Sequence, residues 1–330
     1  MPMPDIFQND LFSTNSLTAA INRAEFVPNR LGALGLFEAQ GITTTHVTIE
    51  ESNGELALVE AKPRGGDASP VSADKRRGIP FEAIHLPERS TLMADEIQNV
   101  REFGTEDQTR AVETVVNRRL EKMRRNIEAT HEWQRVGAMR GQILDADGST
   151  VLVDVFDRFN LTQQSVNMNF GSSDVQTKTL DVQEAIEDEL GSLPFSTVRV
   201  FCGSSFWRNL LNDSSVQEAY NNHAAAVRLR EDPRESFEFG GVIWERYRGK
   251  VGGNPYVPDA EAYAVPEGVP ELMISRFAPA DFTEAVNSIG LPVYAKSEPM
   301  RFDKGVELEV QSNPIHLPTR PRAIIKLTEA

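Results

Sequence analysis

The stretch TEDQTRAVETVVNRRLEKMRRNIEATHEWQRVGAMR, residues 105–140, decides the architecture. Its apolar side chains recur at Val112, Val116, Leu120, Met123, Ile127, Trp133 and Val136, close to the period of a helix with one buried stripe. Thr105 with Gln108 three residues later fits a capping box, Gly104 precedes it, and Gly141 ends the run. A helix over 105–140 extends about 50 Å, far beyond the usual three turns. One helix of that size in a mixed chain acts as a strut across its domain. Its final turns are expected to kink near Gly137.

Upstream, residues 45–61 alternate, with Val47 and Ile49 on one side of Asn53-Gly54 and Leu56 and Leu58 on the other. Asn-Gly between alternating runs is a strong hairpin signal because both residues tolerate positive φ. A second extended stretch runs from Gly78 to Leu86 through Ile79, Phe81 and Ile84. Between them, Pro63-Arg64-Gly65-Gly66-Asp67-Ala68-Ser69-Pro70 and Lys75-Arg76-Arg77 make a polar, basic tip with nothing to bury. A two-stranded excursion of this kind is marginal alone. Residues 1–44 read as an arm, with a helix candidate at Ser16 to Phe26 and an apolar run from Leu31 to Phe37 that has no long periodic element nearby. Arm and ribbon are expected to draw their stability from adjoining copies of the chain.

Downstream, Gln142 to Phe156 is a hairpin candidate turning at Asp147-Gly148 and returning through Val151, Val153 and Val155. Helices are expected at Leu180 to Leu190 and Ser204 to Leu211. Strands are expected at Phe195 to Cys202, Val242 to Tyr247, Glu261 to Val265, Glu271 to Ile274, Val306 to Val310 and Ala323 to Leu327. The region after residue 176 reads as α+β with a mainly antiparallel sheet.

Charge and composition narrow the function. Among 330 residues, 49 acids against 34 Lys and Arg give a net charge of −15, which opposes general affinity for nucleic acid. Cys202 is the only cysteine, so no intrachain disulfide or thiolate metal cage can form. No run approaches the roughly 18 apolar residues that cross a membrane, and the start lacks a basic, then apolar, leader. A cytosolic protein without membrane partners is expected.

Asp145-Ala146-Asp147-Gly148-Ser149 resembles the start of a calcium loop, but Thr150 stands where glycine is needed and Phe156 where a bidentate acid is needed, so a turn is the better reading. His46, His85, His131, His223 and His316 show no ligand spacing, and no nucleophile elbow, phosphate loop or dinucleotide fingerprint is present. The reading is no enzyme, no cofactor and no metal. Cys202, Trp133, Trp207 and Trp244 read as core, and Asp95-Glu96 and Glu187-Asp188-Glu189 as exposed acids. Arg118, Arg119, Lys122, Arg124 and Arg125 form a basic cluster on the long helix. It reads first as a solvated face balanced by Glu113, Glu121 and Glu128. Its functional alternative is contact with DNA or with an acidic surface of a neighbour.

The order of these elements resembles the HK97-type capsid subunit. Pro63-Arg64-Gly65-Gly66, Lys75-Arg76-Arg77, Leu92-Met93-Ala94-Asp95-Glu96-Ile97, Val100-Arg101, Phe103-Gly104, Arg124-Arg125-Asn126 and Glu128 look like the lambda-type major capsid protein E family. So do Gln311-Ser312-Asn313-Pro314 and Arg320-Pro321-Arg322-Ala323. The resemblance implies an arm at 1–44 and an extended E-loop with flanking strands at 45–92, its tip from Pro63 to Arg77 over an adjacent subunit. It further implies a peripheral domain at 93–175 with the spine helix 105–140, an axial domain at 176–300, and returning strands at 301–330. It implies a homo-oligomeric shell of pentamers and hexamers, assembled in the bacterial cytoplasm and becoming the virion capsid. Portal, scaffolding and cement or decoration proteins are the implied partners, and packaged double-stranded DNA would be touched only non-specifically. One member of the wider fold crosslinks its E-loop through lysine and asparagine. Lys62 and Lys75 are available here, but no matching acceptor is evident, so a separate cement protein is the reading.

Three alternatives differ in what they require. An encapsulin-like nanocompartment shares the fold and encloses cargo enzymes instead of DNA. An unrelated α+β enzyme needs a deep pocket with a perturbed acid–base pair. A monomeric binding module stays small at high concentration.

Overall fold

The computed structural model describes residues 12–23, 30–52, 76–97, 108–171, 174–191, 193–217, 236–251 and 253–329. The Asn53-Gly54 turn, the loop tip from Pro63 to Lys75 and the Thr105 capping position lie outside them.

The long helix, α4 (Gln108–Arg140), runs without interruption for 33 residues. Among the described residues, three short helices precede it: α1 (Thr14–Arg23), α2 (Arg30–Leu34) and α3 (Ala94–Ile97). Gly137 does not break α4. A Cβ there would lie 2.8 Å from the Gln142 carbonyl oxygen and 2.9 Å from Ile143 Cα, so glycine lets the chain fold back tightly after Gly141.

Two hydrophobic cores form along α4. Val112, Val116, Leu120, Met123 and Ile127 enter one core with Leu92, Ala295, Val306, Leu308 and Val310. That core lies against a three-stranded antiparallel sheet ordered β15 (Tyr294–Pro299), β16 (Gly305–Ser312), β4 (Leu86–Met93). Trp133, Val136, Met139 and Ile143 enter the larger core. Its centre is a six-stranded mixed sheet ordered β7 (Ser165–Asn167), β18 (Ile325–Thr328), β13 (Glu261–Glu267), β8 (Thr197–Cys202), β10 (Val242–Arg246), β9 (Ser236–Phe239). The β7–β18 and β8–β10 pairs are parallel, and the other three are antiparallel. Helices α6 (Val175–Leu190) and α7 (Ser204–Asn212) bury Val182, Ile186, Leu190, Phe206, Trp207 and Leu210 in the same core.

A third sheet orders β1 (Glu38–Gly41), β14 (Met273–Phe277) and β17 (Pro314–Pro318), with β1–β14 parallel. The base of the ribbon is an antiparallel pair, β2 (His46–Ser52) with β3 (Arg76–Glu82). Val47 therefore faces Phe81 across the ladder, and Ile79 and Phe81 reach the larger core. Val155 does not continue the strand β6 (Val151–Asp154), which pairs with β5 (Gln142–Leu144). Instead it opens helix α5 (Val155–Phe159), because Asp154 accepts the Asp157 N–H at 3.0 Å as an N-cap and Val155 turns into the core. Helix α6 starts five residues before the expected Leu180, because Asp174 accepts the Gln176 N–H as an N-cap and Val175 is buried in the first turn.

Residues 12–23 and 30–41 of the leading segment pack on their own chain, where the sequence reading looked to neighbours. Phe12, Leu17 and Ile21 are buried in the core shared with α4. Helix α1 lies along the free edge of β15. The Ala295 N–H donates to Thr18 Oγ1 at 3.1 Å, and Asn22 donates to the Val293 carbonyl at 2.8 Å. An uncovered strand edge exposes unpaired backbone groups, and this helix supplies their partners. Residues 30–41 continue inward, with Leu31 and Phe37 in the larger core and β1 paired to β14.

Gly137→Ala tests the fold-back at the end of α4. The gain in helix propensity is about 1 kcal/mol, while overpacking against fixed backbone costs about 1–3 kcal/mol. A net loss of about 1 kcal/mol, read as a lower Tm, is expected from these two terms; a higher Tm counts against the close approach.

Candidate subunit-assembly site

Where α4 passes from one core to the other, its buried positions become polar. Glu128, His131 and Glu132 are all buried; Glu128 pairs within α4 with Arg124 and His131, and the other two are held by distant parts of the chain. The Glu132 carboxylate accepts the Leu31 N–H at 2.6 Å, the Gly32 N–H at 3.3 Å and the Tyr247 hydroxyl at 2.5 Å. Arg135 lies 3.5 Å from its other oxygen. A second buried acid, Glu245 on β10, pairs with Arg30 of α2 and with Arg199 of β8 at 2.9 Å. Arg199 continues to Glu267 of β13 at 2.5 Å. One connected polar network thus ties α2, the helix α4 and three strands of the six-stranded sheet. Burial, with the Glu132 charge beside it, pushes the Tyr247 hydroxyl well above its ordinary range, and burial pushes Tyr256 up to about 12.

His131 Nε2 lies 2.9 Å from Ser312 Oγ, and Glu128 lies 3.6 Å from His131 Nδ1. The residue types match a hydrolytic triad, but Ser312 is fully buried and its hydroxyl donates to the Pro292 carbonyl at 2.6 Å. That oxygen is closed to any substrate, so the trio is a structural peg. His316 packs beside it, 5.5 Å from His131 between ring centroids, with Ser275 Oγ at 2.7 Å from Nδ1. Burial pushes both imidazoles below their ordinary value; for His316 the nearby Arg135 adds to this, while for His131 Glu128 opposes it.

The basic cluster on α4 divides in two. Arg119 pairs with Glu96 at 2.7 Å, and Arg124 donates to the Ile21 carbonyl and sits 3.8 Å from Glu128. Those two residues hold α1 and α3 to α4. Arg118, Lys122 and Arg125 are exposed on one helical face together with Glu121. Of the ribbon tip, only Arg76 and Arg77 fall in the described residues, in β3 opposite Ser52 and Glu51. Pro63, Arg64, Gly65, Gly66 and Lys75 lie outside them.

Other residues stand where the sequence reading put them. Trp207, Trp244 and Cys202 are buried, and burial raises the Cys202 thiol far from reactivity. Asp147 accepts from the Ser149 and Thr150 backbone N–H groups, each at 2.9 Å, which holds its carboxyl below the usual range in a closed turn. Among the described residues no group of acids, His and Cys has the makings of a metal site, and no helix is long and apolar enough to cross a membrane.

A long helix bridging two cores, a β-ribbon leaving the body, and a mixed central sheet define an HK97-type capsid subunit. The capsid protein of an Escherichia coli CFT073 prophage superposes with a TM-score of 0.58 at 15% identity, covering 96% of this chain and 99% of that one. The capsid protein of Myoviridae phage XM1 gives a TM-score of 0.51 at 12% identity, covering 93% and 94%. The family model of phage major capsid protein E matches residues 13–329, and the chain belongs to that family. A curated relative, the major capsid protein of Salmonella phage Felix O1, is 21% identical over 342 residues, spanning 91% of this chain and 92% of the relative. The family is a structural one.

Removing Glu132 leaves buried donors without an acceptor. Glu132→Ala should cost about 3 kcal/mol or more, and Tyr247→Phe, which leaves the Leu31 bond intact, about 1 kcal/mol. Chemical denaturation checks the order, and equal losses would sink the central role of Glu132.

The paired histidines make stability depend on acid. The unfolded chain binds protons below about pH 6.5, where the folded histidines stay neutral, so the unfolded state holds more protons there. Stability is therefore complete above that pH and declines as pH falls beneath it. Urea midpoints at neutral and mildly acidic pH should differ, and His316→Gln should reduce the difference.

Proposed function

We propose that this chain is the shell-forming subunit of a tailed phage, assembling into the icosahedral head that encloses a double-stranded DNA genome. The observation that carries it is the combination of near-complete family coverage with a rigid two-core body from which the β2–β3 ribbon departs. A closed shell requires each subunit to contact several others through patches whose rotation closes into rings. The ribbon gives reach, and α4 gives stiffness. Many modest overlaps then sum to a stable shell while single contacts remain reversible during assembly.

On this reading residues 45–92 are the E-loop with its flanking strands, with Pro63 to Arg77 as a tip over the adjacent subunit. Residues 93–175 form the peripheral domain, 176–300 the axial domain gathered at five- and six-fold positions, and 301–330 the returning strands. Residues 1–44 remain the arm in order along the chain, though residues 12–23 and 30–41 serve their own subunit first. Pentamers and hexamers of the chain meet portal, scaffolding and cement proteins during assembly in the bacterial cytoplasm. The acidic chain, at −15, encloses the genome without gripping it. Arg118, Lys122 and Arg125 are the cations left to touch DNA or an acidic neighbour. The encapsulin-like alternative shares the fold, and family membership favours the phage.

Electron microscopy of the protein expressed with its neighbouring genes should show regular icosahedral particles or tubes. Deleting Gly65 to Ala73 should leave a folded subunit and reduce particle yield sharply. Full yield from the deletion counts against the loop assignment, and a wild-type protein that never assembles counts against the shell.

A further inference from the structure

The hairpin joining β15 and β16 ends in Met300-Arg301-Phe302-Asp303-Lys304. Phe302 is 83% exposed, the most exposed large apolar side chain among those described. Its backbone is left-handed at φ 65°, and Asp303 follows at φ 53°. That region suits glycine or asparagine and is strained for a bulky aromatic residue. An isolated subunit thus gains nothing from phenylalanine at this position, by burial or by backbone preference. The turn is nevertheless well defined, with the Asp303 N–H on the Met300 carbonyl at 3.0 Å and the Met300 N–H on the Gly305 carbonyl at 2.9 Å.

At the opposite end of the same hairpin lies a groove of about 720 Å³ between α1, α4 and the 277–294 segment. Its apolar lining includes Phe277, Phe282, Ala285, Ile289, Leu291 and Pro292. Ile289 is 67% exposed and Leu291 42% exposed at the rim. The charged side chains of the lining are engaged within the chain, Arg124 with Glu128, Arg135 with Glu132 and Glu284 with Lys296 at 2.9 Å, so the surface the groove offers an incoming group is the apolar one. Phe302 is flanked by exposed Arg301, Asp303 and Lys304, so the ring is the apolar part of the tip and the groove offers it an apolar lining.

The chain cannot fill its own groove with its own tip. Tyr294 lines the groove and starts β15, and about 20 Å of strand separates it from Met300. That strand is locked into a ladder with β16 and, through it, β4. Plug and socket therefore face apart on one rigid element.

We propose that the Met300–Lys304 tip inserts Phe302 into the α1–α4 groove of a second copy of this chain, head to tail. Because plug and socket are different surfaces, the contact is heterologous and propagates into rings or extended arrays instead of stopping at a dimer. The inference deepens the shell reading and rests on it for the setting in which copies meet.

The test uses the full chain carrying Phe302→Cys with Ile289→Cys, since the native thiol of Cys202 is buried and does not compete. A short bismaleimide crosslinker is applied to assembled particles, and products are separated on a denaturing gel. A ladder of covalent multimers is expected from the double variant and monomer from each single variant. Particles that give no ladder overturn the plug while leaving the shell reading intact. Crosslinking by Phe302→Cys alone overturns it in favour of a tip-to-tip contact. If the wild type forms no particles, the shell reading fails; the crosslink is then read on concentrated protein, where its absence still overturns the plug and a ladder supports it. Phe302→Gly, which relaxes the turn, should leave the unassembled chain at least as heat-stable as wild type and lower particle yield at least tenfold. Unchanged yield would overturn the anchor role.

Discussion

A helix as long as α4 needs a buried face along its whole length, and this chain meets that need with two cores in series. The first half of the helix packs on the β15–β16–β4 sheet, the second on β5 and β17 within the larger core. Between the halves the buried positions are Glu128, His131 and Glu132. Apolar residues there would tolerate sliding of one core against the other. Buried polar groups tolerate little, because each displaced hydrogen bond leaves a desolvated donor or acceptor. Glu132, gripping both the start of α2 and Tyr247, fixes where the helix sits against the strands. The charged chain Arg30–Glu245–Arg199–Glu267 extends that fixation across β10, β8 and β13.

This arrangement explains why the leading segment belongs to its own subunit. Arg30 and the Leu31 N–H are partners of buried acids, and removing them would leave uncompensated charge inside the protein. Helix α1 has an equally local duty, closing the edge of β15 against unwanted strand addition. On the proposed shell reading, the surfaces that would meet neighbours among the described residues are the base of the ribbon, the exposed cations of α4 and the apolar features at the two ends of the β15–β16 hairpin.

Much of the fold was legible because it rests on local pattern. The stripe from Val112 to Val136 gave the long helix, and alternation at Val47, Ile49, Ile79 and Phe81 gave the ribbon strands. Asp147-Gly148 gave a turn, although Val155 was misread as strand because its apolar spacing fits either element and the Asp154 cap decides. Strands β1 and β17 were harder to read, and β14 was placed a little early, at Glu271 to Ile274 instead of Met273–Phe277. His316 and Pro314 interrupt the pattern of β17, and β1 reads Glu-Ala-Gln-Gly, with no apolar alternation to betray it. The basic cluster was visible as composition, yet its division into tethering and exposed residues was not, since the partners Glu96 and the Ile21 carbonyl are distant in sequence.

By itself the sequence determined the class of architecture, the absence of thiol chemistry and a net charge unsuited to gripping DNA, since these follow from residue counts and short periodicities. Only the tertiary structure decided which acids are buried, where the leading segment docks and what faces lie open at the ends of the hairpin. Each of those depends on contacts between residues hundreds of positions apart, such as Thr18 with Ala295 or Arg30 with Glu245. Periodicity says that a face will be buried; only the folded chain says against what.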